Sequence, residues 1–179
     1  MTTHIEQHCR DWVNAMVVGQ NLCPFAKRSL DANGVRFKIL EGSLDTLADV
    51  FLGELQLLDM DERVETTLLI IPQGLEDFMD YLDILEGANQ MLDELGYEGV
   101  YQIASFHPRY QFENTAEDAP SNYTNRAPFP ILHLLREASI EKAIEAYGRE
   151  NAERIPHNNI DNLERMGLEN ILALLRKSS

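Results

Sequence analysis

The sequence predicts an α/β protein with a small, mostly parallel three-stranded sheet in the order β-α-β-α-β, flanked by N-terminal and C-terminal helices; an α+β arrangement is the alternative. Three short apolar segments, 35–40, 66–71 and 100–106, have the length and residue types of strands. Two amphipathic helical patterns separate them. Strands joined by single helices are normally parallel, with right-handed crossovers, and this rule gives the predicted topology.

The first part of the chain is predicted to form two helices. Apolar residues recur at helical spacing in the N-terminal segment, at Ile5, Cys9, Trp12, Val13, Met16 and Val17. Gly19 is expected to end this helix. A second, short helix is expected to begin near Pro24, because proline favours the first helical turn, and to end at Asn33-Gly34.

The middle of the chain supplies the sheet and its crossover helices. Segment 35–40 alternates apolar and basic residues, as a half-buried strand does, whereas 66–71 is continuously β-branched or leucine, as in a strand covered on both faces. After the turn at 41–43 we expect Ser43 to cap a helix. The apolar stripe of that helix contains Leu44, Leu47, Ala48, Phe51, Leu55 and Leu58. The next stripe begins with Leu75, Phe78, Met79, Leu82 and Leu85.

After Pro128 the chain is predicted to be helical to its end, with interruptions at Pro156 and Gly167. His133 lies in the apolar run 131–135, and we interpret it as a core or boundary histidine rather than as a ligand.

Length, composition and charge restrict the class of protein. The 179 residues are 44% hydrophobic and 25% charged, which is ordinary for a globular chain, and we expect 1–179 to form a single domain. With 30 acidic and 15 basic residues the net charge is −15, which disfavours nucleic acid and anionic membranes as partners. Segment 41–98 holds 16 acidic residues and one basic residue. Solvated helix faces are the simplest interpretation of that excess.

The chain shows no sequence signal for export or membrane insertion. No apolar run approaches the roughly 18 residues of a membrane span, and the N-terminus lacks the order of a secretory signal. Its two cysteines, Cys9 and Cys23, are too few for a disulfide scaffold. We therefore expect a soluble protein of the reducing cytoplasm.

Segment 107–128 has no sustained period and is rich in polar, aromatic and proline residues. Loops longer than about 12–15 residues in compact domains are usually functional or disordered. This loop leaves the carboxyl end of the third predicted strand, the edge at which open parallel sheets bind ligands. The other two strands deliver 41–43 and 72–74 to the same edge. The sequence therefore predicts one cleft lined by three strand ends and the loop.

Three segments carry a resemblance: 21–26 (NLCPFA), 105–112 (SFHPRYQF) and 127–130 (APFP). Together they resemble a family of bacterial and plant proteins catalogued as a domain of unknown function, number 1415, and the resemblance covers nearly the whole chain. That family has no established activity, so the resemblance implies no reaction and no catalytic residue.

Cys23 and His107 are the candidate catalytic residues. Cys23 precedes Pro24, so it is predicted to lie at a helix start, where free N–H groups, the helix dipole and two nearby cations favour a thiolate. The alternative is a buried, inert thiol. His107 follows a strand and precedes a proline, which suits an acid, a base or a ligand. The alternative is a loop histidine hydrogen-bonded to its neighbours.

Five residues are candidates for ligand binding. Arg109 and Arg126 bracket the loop and can each hold a carboxylate or phosphate, although internal salt bridges that order the loop are equally open. Ser43, Gln73 and Tyr110 lie at strand ends or in the loop and are expected to contact the same ligand. No zinc-binding spacing, phosphate-binding glycine loop or serine-hydrolase motif occurs, so no metal site is expected and no cofactor is indicated.

Three functions remain open on the sequence alone. The first is a small-molecule enzyme that acts on an anionic substrate with a Cys/His/Arg site. The second is a non-catalytic binding or adaptor protein that presents its acidic helices to a basic partner. The third is a structural domain whose loop is only ordered packing. The sequence does not determine the reaction class, the substrate, a protein partner or the oligomeric state.

Overall fold

The computed structural model describes residues 2–177, with side chains from His4 onward, as a four-stranded mixed sheet between two layers of helices. The strands are β1 (Val35–Ile39), β2 (Thr66–Ile70), β3 (Tyr101–Phe106) and β4 (Ile131–Arg136), in the spatial order β1-β2-β4-β3. The helices are α1 (Thr2–Trp12), α2 (Ala26–Asp31), α3 (Leu47–Met60), α4 (Phe78–Glu94), α5 (Glu137–Tyr147), α6 (Arg149–Glu153), α7 (Ile155–Met166) and α8 (Leu168–Lys177). A π-helical segment, Val13–Val18, continues α1 and ends at Gly19, as predicted.

The three predicted strands are confirmed within one residue at each end, but the predicted topology is wrong. The run that was expected to be helical after Pro128 contains β4, which lies antiparallel between β2 and β3. A six-residue apolar run has no period that separates helix from strand. This run is a strand because it forms hydrogen bonds with the free edges of β2 and β3, and such tertiary pairing cannot be seen in the sequence. The sheet therefore has four strands and is mixed.

The carboxyl edge of the sheet is as predicted despite the extra strand. β1 and β2 are parallel, and β4 is antiparallel to both β2 and β3. β1, β2 and β3 therefore point the same way, so their carboxyl ends share one edge. The first residue of β4 lies at that edge too, since Ile131 pairs with Ile70 and Phe106.

One face of the sheet packs against α3 and α4. The predicted α3 stripe is buried at four positions, Leu47, Phe51, Leu55 and Leu58, whereas Ala48 is exposed. On the same face Glu54 is buried and accepts two hydrogen bonds from Arg36, with Nε to Oε2 at 2.7 Å and Nη2 to Oε1 at 3.1 Å. A buried carboxylate requires such a partner because desolvation of an unpaired charge is costly.

The helix starts differ from the predicted ones. α4 begins at Phe78, because Asp77 caps it by accepting the N–H of Met79 at 2.8 Å. In the helix that begins at Phe78, Met79 is exposed and the side chain of Tyr81 points into the core. Ser43 does not cap the following helix; its hydroxyl donates to the carboxylate of Asp45.

The opposite face packs against α1, the π-helical segment, α7 and α8, with Leu68, Ile70 and Ile131 of the sheet in its core. Gly167 separates α7 from α8, as predicted. Pro156 lies in the first turn of α7, where a proline has no helical N–H partner to lose. No described helix combines the length and hydropathy needed to cross a membrane.

Tyr81 joins the ends of two neighbouring strands at the carboxyl edge. Its side chain is fully buried, and its hydroxyl donates to the carbonyl of Ile131 at 2.8 Å and accepts the N–H of Phe106 at 3.1 Å. The hydroxyl thus joins Phe106 and Ile131, which form the last pair between β3 and β4. Burial raises the pKa of this phenol, so it remains protonated and able to donate.

Tyr81→Phe is expected to lower the free energy of unfolding by about 1–3 kcal/mol, because the buried carbonyl of Ile131 and the part-buried N–H of Phe106 each lose a hydrogen-bond partner. Chemical denaturation measures this loss as a shift of midpoint at constant slope. Tyr147→Phe is the matched control, since Tyr147 is 42% exposed, and it should leave the midpoint unchanged. Equal effects from the two variants would contradict the bridging role.

Candidate functional site

A cleft of about 210 Å³ opens at the carboxyl edge of the sheet. Its lining comes from three segments: 71–76 after β2, 108–109 after β3, and 128–130 before β4. The predicted cleft is therefore formed at the predicted edge by the ends of β2 and β3. The amino end of β4 takes the place that was expected for the end of β1.

The walls of the cleft are mostly apolar and stiff. Four prolines contribute to them: Pro72, Pro108, Pro128 and Pro130. Proline fixes its own backbone angle φ and has no N–H group, so these walls have little freedom and few donors. Ile71, Leu75 and Phe129 add apolar side chains, and Gln73, Glu76 and Arg109 add polar ones. Such a cleft suits a ligand with an apolar body and a small number of polar groups.

His107 is buried behind this cleft and connects two of its walls. Its Nε2 lies 2.9 Å from the carbonyl oxygen of Leu75, and its Nδ1 accepts the main-chain N–H of Arg109 at 3.0 Å. A carbonyl only accepts, so Nε2 carries the proton and the ring is neutral. Burial lowers the pKa of His107, which agrees with a neutral ring. Both nitrogens are bonded to the main chain, so proton transfer to a ligand would require one of these bonds to break.

The two arginines predicted to hold an anion occupy different places. Arg109 lines the cleft, its side chain is 63% exposed, and its nearest carboxylate, on Asp77, is 3.8 Å away. Arg126 lies within the loop instead, where it donates to the carbonyls of Tyr110 (2.9 Å) and Glu117 (2.7 Å). Its guanidinium also lies 4.7 Å from the ring centre of Tyr123. Arg109 is therefore available to a ligand, whereas Arg126 orders the loop.

A buried asparagine, Asn122, orders segment 107–128, and the sequence analysis did not single it out. Asn122 accepts hydrogen bonds from the N–H of Phe112 and the hydroxyl of Thr115, and its amide donates to the carbonyls of Ala116 and Glu117. These four bonds use the whole amide. The role of Asn122 could not be predicted, because one asparagine among many polar loop residues forms no distinguishing sequence pattern.

The remaining predicted ligand contacts lie in different surroundings. Gln73 is exposed and lines the cleft. Tyr110 packs between Phe78 and Phe112, with ring centres 5.1 and 5.0 Å away. In the part of the chain that the structure describes, Ser43 and Tyr110 lie outside the cleft lining.

Burial raises the pKa of the Cys23 thiol, whereas its predicted place at a helix start favoured a low pKa. The N–H groups of Phe25 and Ala26 lower its pKa, but burial raises it more, so the net shift is upward. The helix dipole contributes little because α2 begins only at Ala26 and is six residues long. Lys27 forms an ion pair with Asp31 at 2.9 Å. Among the described residues, Cys23 also lies outside the cleft lining.

Helix α1 approaches the cleft through His8, a contact that the sequence analysis did not predict. The ring of His8 lies edge-on to Phe129, with centres 5.7 Å apart. Contact between residues so distant in the chain leaves no sequence pattern. Over the described residues, no three His, Cys, Asp or Glu side chains gather in a way that could hold a metal ion.

The fold and cleft define an α/β protein with a small, proline-walled pocket at the carboxyl edge of a mixed sheet. The chain belongs to the family described as "Protein of unknown function (DUF1415)", whose family model matches residues 4–173 and confirms the resemblance seen in the sequence. No curated protein matches the chain, and no solved structure does.

His107→Gln is expected to destabilise the fold by about 1–3 kcal/mol at pH 8, because a buried bond to the main chain is lost. The folded pKa of His107 lies below its unfolded value, so its contribution is full above the unfolded pKa and declines as pH falls through it. The difference in unfolding free energy between wild type and variant should therefore shrink below about pH 6.5. Denaturation from pH 8 to 5 measures it. A difference in unfolding free energy that grows as the pH falls would contradict a buried neutral ring. The control is His157→Gln, because the side chain of His157 is exposed.

Native alkylation with iodoacetamide is expected to label Cys23 before Cys9. Cys9 is fully buried, and burial raises its pKa to about 12, whereas Cys23 is only partly buried. Both thiols should react more slowly than a cysteine in an unfolded peptide, because burial disfavours the thiolate. Peptide mapping by mass spectrometry checks the order. Faster labelling of Cys23 than of the peptide would restore the activated-thiol interpretation.

Proposed function

We propose that this protein binds a small organic carboxylate in the cleft at the carboxyl edge of the sheet, with Arg109 as the contact for the negative charge. One observation carries the proposal: Arg109 is a largely exposed guanidinium that lines an apolar cleft, while its nearest carboxylate, on Asp77, is 3.8 Å away. A guanidinium presents paired donors that match the two oxygens of a carboxylate.

The backbone of Arg109 is held in place, which favours a binding role for its side chain. Its N–H is bonded to His107, and the following residue, Tyr110, is bonded through its own N–H to the carbonyl of His107 at 3.1 Å. The guanidinium therefore extends from an anchored main chain. Anchoring reduces the entropy that a binding residue loses when it captures a ligand.

Binding receives more support than turnover. The enzymatic form of the hypothesis required Cys23 as a nucleophile and His107 as an acid or base. Cys23 has a raised pKa, and both nitrogens of His107 are bonded to the main chain. A buried histidine with this bonding holds the site in shape, so we assign His107 a positioning role.

The adaptor hypothesis rests on a different surface. α4 presents exposed carboxylates along its outer side, at Asp80, Asp83, Glu86, Asp93 and Glu94. Within residues 4–177 none of these five forms an ion pair. These carboxylates would attract a basic partner, and the affinity for that partner would fall as the salt concentration rises. Variants of the cleft would leave such binding unchanged, which separates the two proposals.

Arg109→Ala is expected to weaken binding of 4-methylpentanoate by at least about tenfold, because a charge-assisted hydrogen bond is worth roughly 1.5–3 kcal/mol. Its thermal midpoint should stay close to that of wild type, since an exposed ion pair contributes little stability. Titration followed by NMR or calorimetry measures the affinity.

The control is Arg63→Ala, which removes an exposed arginine that pairs with Asp61 before β2, away from the cleft lining. It should bind as wild type does. Equal affinity in wild type and Arg109→Ala would refute Arg109 as the charge contact, and the absence of saturable binding to wild type would refute the proposed function.

A further inference from the structure

The cleft contains an anionic side chain as well as a cationic one. Glu76 lines the same cleft as Arg109, and Asp77 adds a second carboxylate beside the guanidinium. A ligand that carried only a negative charge would gain from Arg109 and be repelled by these two carboxylates. The charges of the cleft therefore do not match a simple anion.

Glu76 lies in the cleft wall that follows β2, and its side chain is held in place. Its Oε1 accepts the main-chain N–H of Gly74 at 2.9 Å. The N–H groups of Gly74 and of Glu76 itself also keep the pKa of this carboxyl below its usual range, so it is charged at neutral pH. Oε1 is thus committed to the turn after β2, and Oε2 remains for a ligand.

We infer that the ligand of this cleft is a small zwitterion, whose carboxylate binds Arg109 and whose ammonium group binds Glu76. This inference rests on the proposed function and specifies its ligand class. The two charged contacts come from different strand ends, so a ligand that carries both groups bridges the cleft from the β3 side to the β2 side.

The size and walls of the cleft define the rest of the ligand. A volume of about 210 Å³ restricts the ligand to a small molecule. The proline, Ile71, Leu75 and Phe129 surfaces favour an apolar body between or beside the two charges. Amino acids with an aliphatic body have this chemistry.

Two matched pairs of probes test the inference, with affinities measured by titration. Leucine is compared with 4-methylpentanoate, which lacks only the amino group, and 6-aminohexanoate is compared with hexanoate in the same way. In wild type at least one zwitterion should bind about tenfold more tightly than its partner acid. The pair that shows this preference reports the separation of the two charged contacts.

Glu76→Gln preserves the acceptor for Gly74 and removes the charge. It should abolish the preference for the zwitterion while leaving the simple acid bound at least as tightly as before. The matched control, Glu62→Gln, alters an exposed carboxylate before β2 and should keep the preference.

The outcomes separate this inference from the proposed function. Binding of both acids through Arg109, without preference for either zwitterion, would overturn the inference and leave the proposed function standing. A preference that survives in Glu76→Gln would overturn Glu76 as the ammonium contact. No saturable binding by any of the four probes would overturn both.

Discussion

The imidazole of His107 is the constraint on which the cleft depends. One buried ring binds the carbonyl of Leu75 on the β2 side and the N–H of Arg109 on the β3 side. Tyr81 packs against the same ring, with centres 5.2 Å apart, and its hydroxyl fixes the first residue of β4 to the last residue of β3. Three strand ends are thus held together by two buried polar side chains whose donors and acceptors are all used. Such satisfied networks favour one arrangement of the backbone over its competitors.

This construction explains how an acidic chain can offer a cationic contact. The chain carries a net charge of −15, and its carboxylates dominate α3 and α4. Arg126, the other arginine of the loop, donates its hydrogen bonds to loop carbonyls, and Arg36 donates to the carboxylate of Glu54. The guanidinium of Arg109 stays exposed because the main chain of this residue, rather than its side chain, makes the hydrogen bond to His107. The surrounding carboxylates then favour a ligand that carries a positive group of its own.

The sequence predicted the parts of the fold that have a local signature. Strands β1, β2 and β3 were visible because each apolar run is short and bounded by turn residues, and their shared direction placed the cleft at the correct edge. β4 was missed because ILHLLR suits a helix as well as a strand, and only tertiary pairing decides. Of the candidate ligand contacts, Gln73 and Arg109 lie in the lining because strand ends fix their place. At Cys23, burial raises the pKa of the thiol more than the N–H groups of Phe25 and Ala26 lower it, and no sequence spacing reveals that burial.

An amide chemical-shift map of the labelled protein, titrated with 4-methylpentanoate, tests the central claim most directly. Binding in the cleft should give saturable shifts that are largest at Gln73, Gly74, Arg109 and Phe129, which lie in or beside its three walls. Shifts concentrated on the outer side of α4 or around Cys23, with those four amides unchanged, would contradict the account.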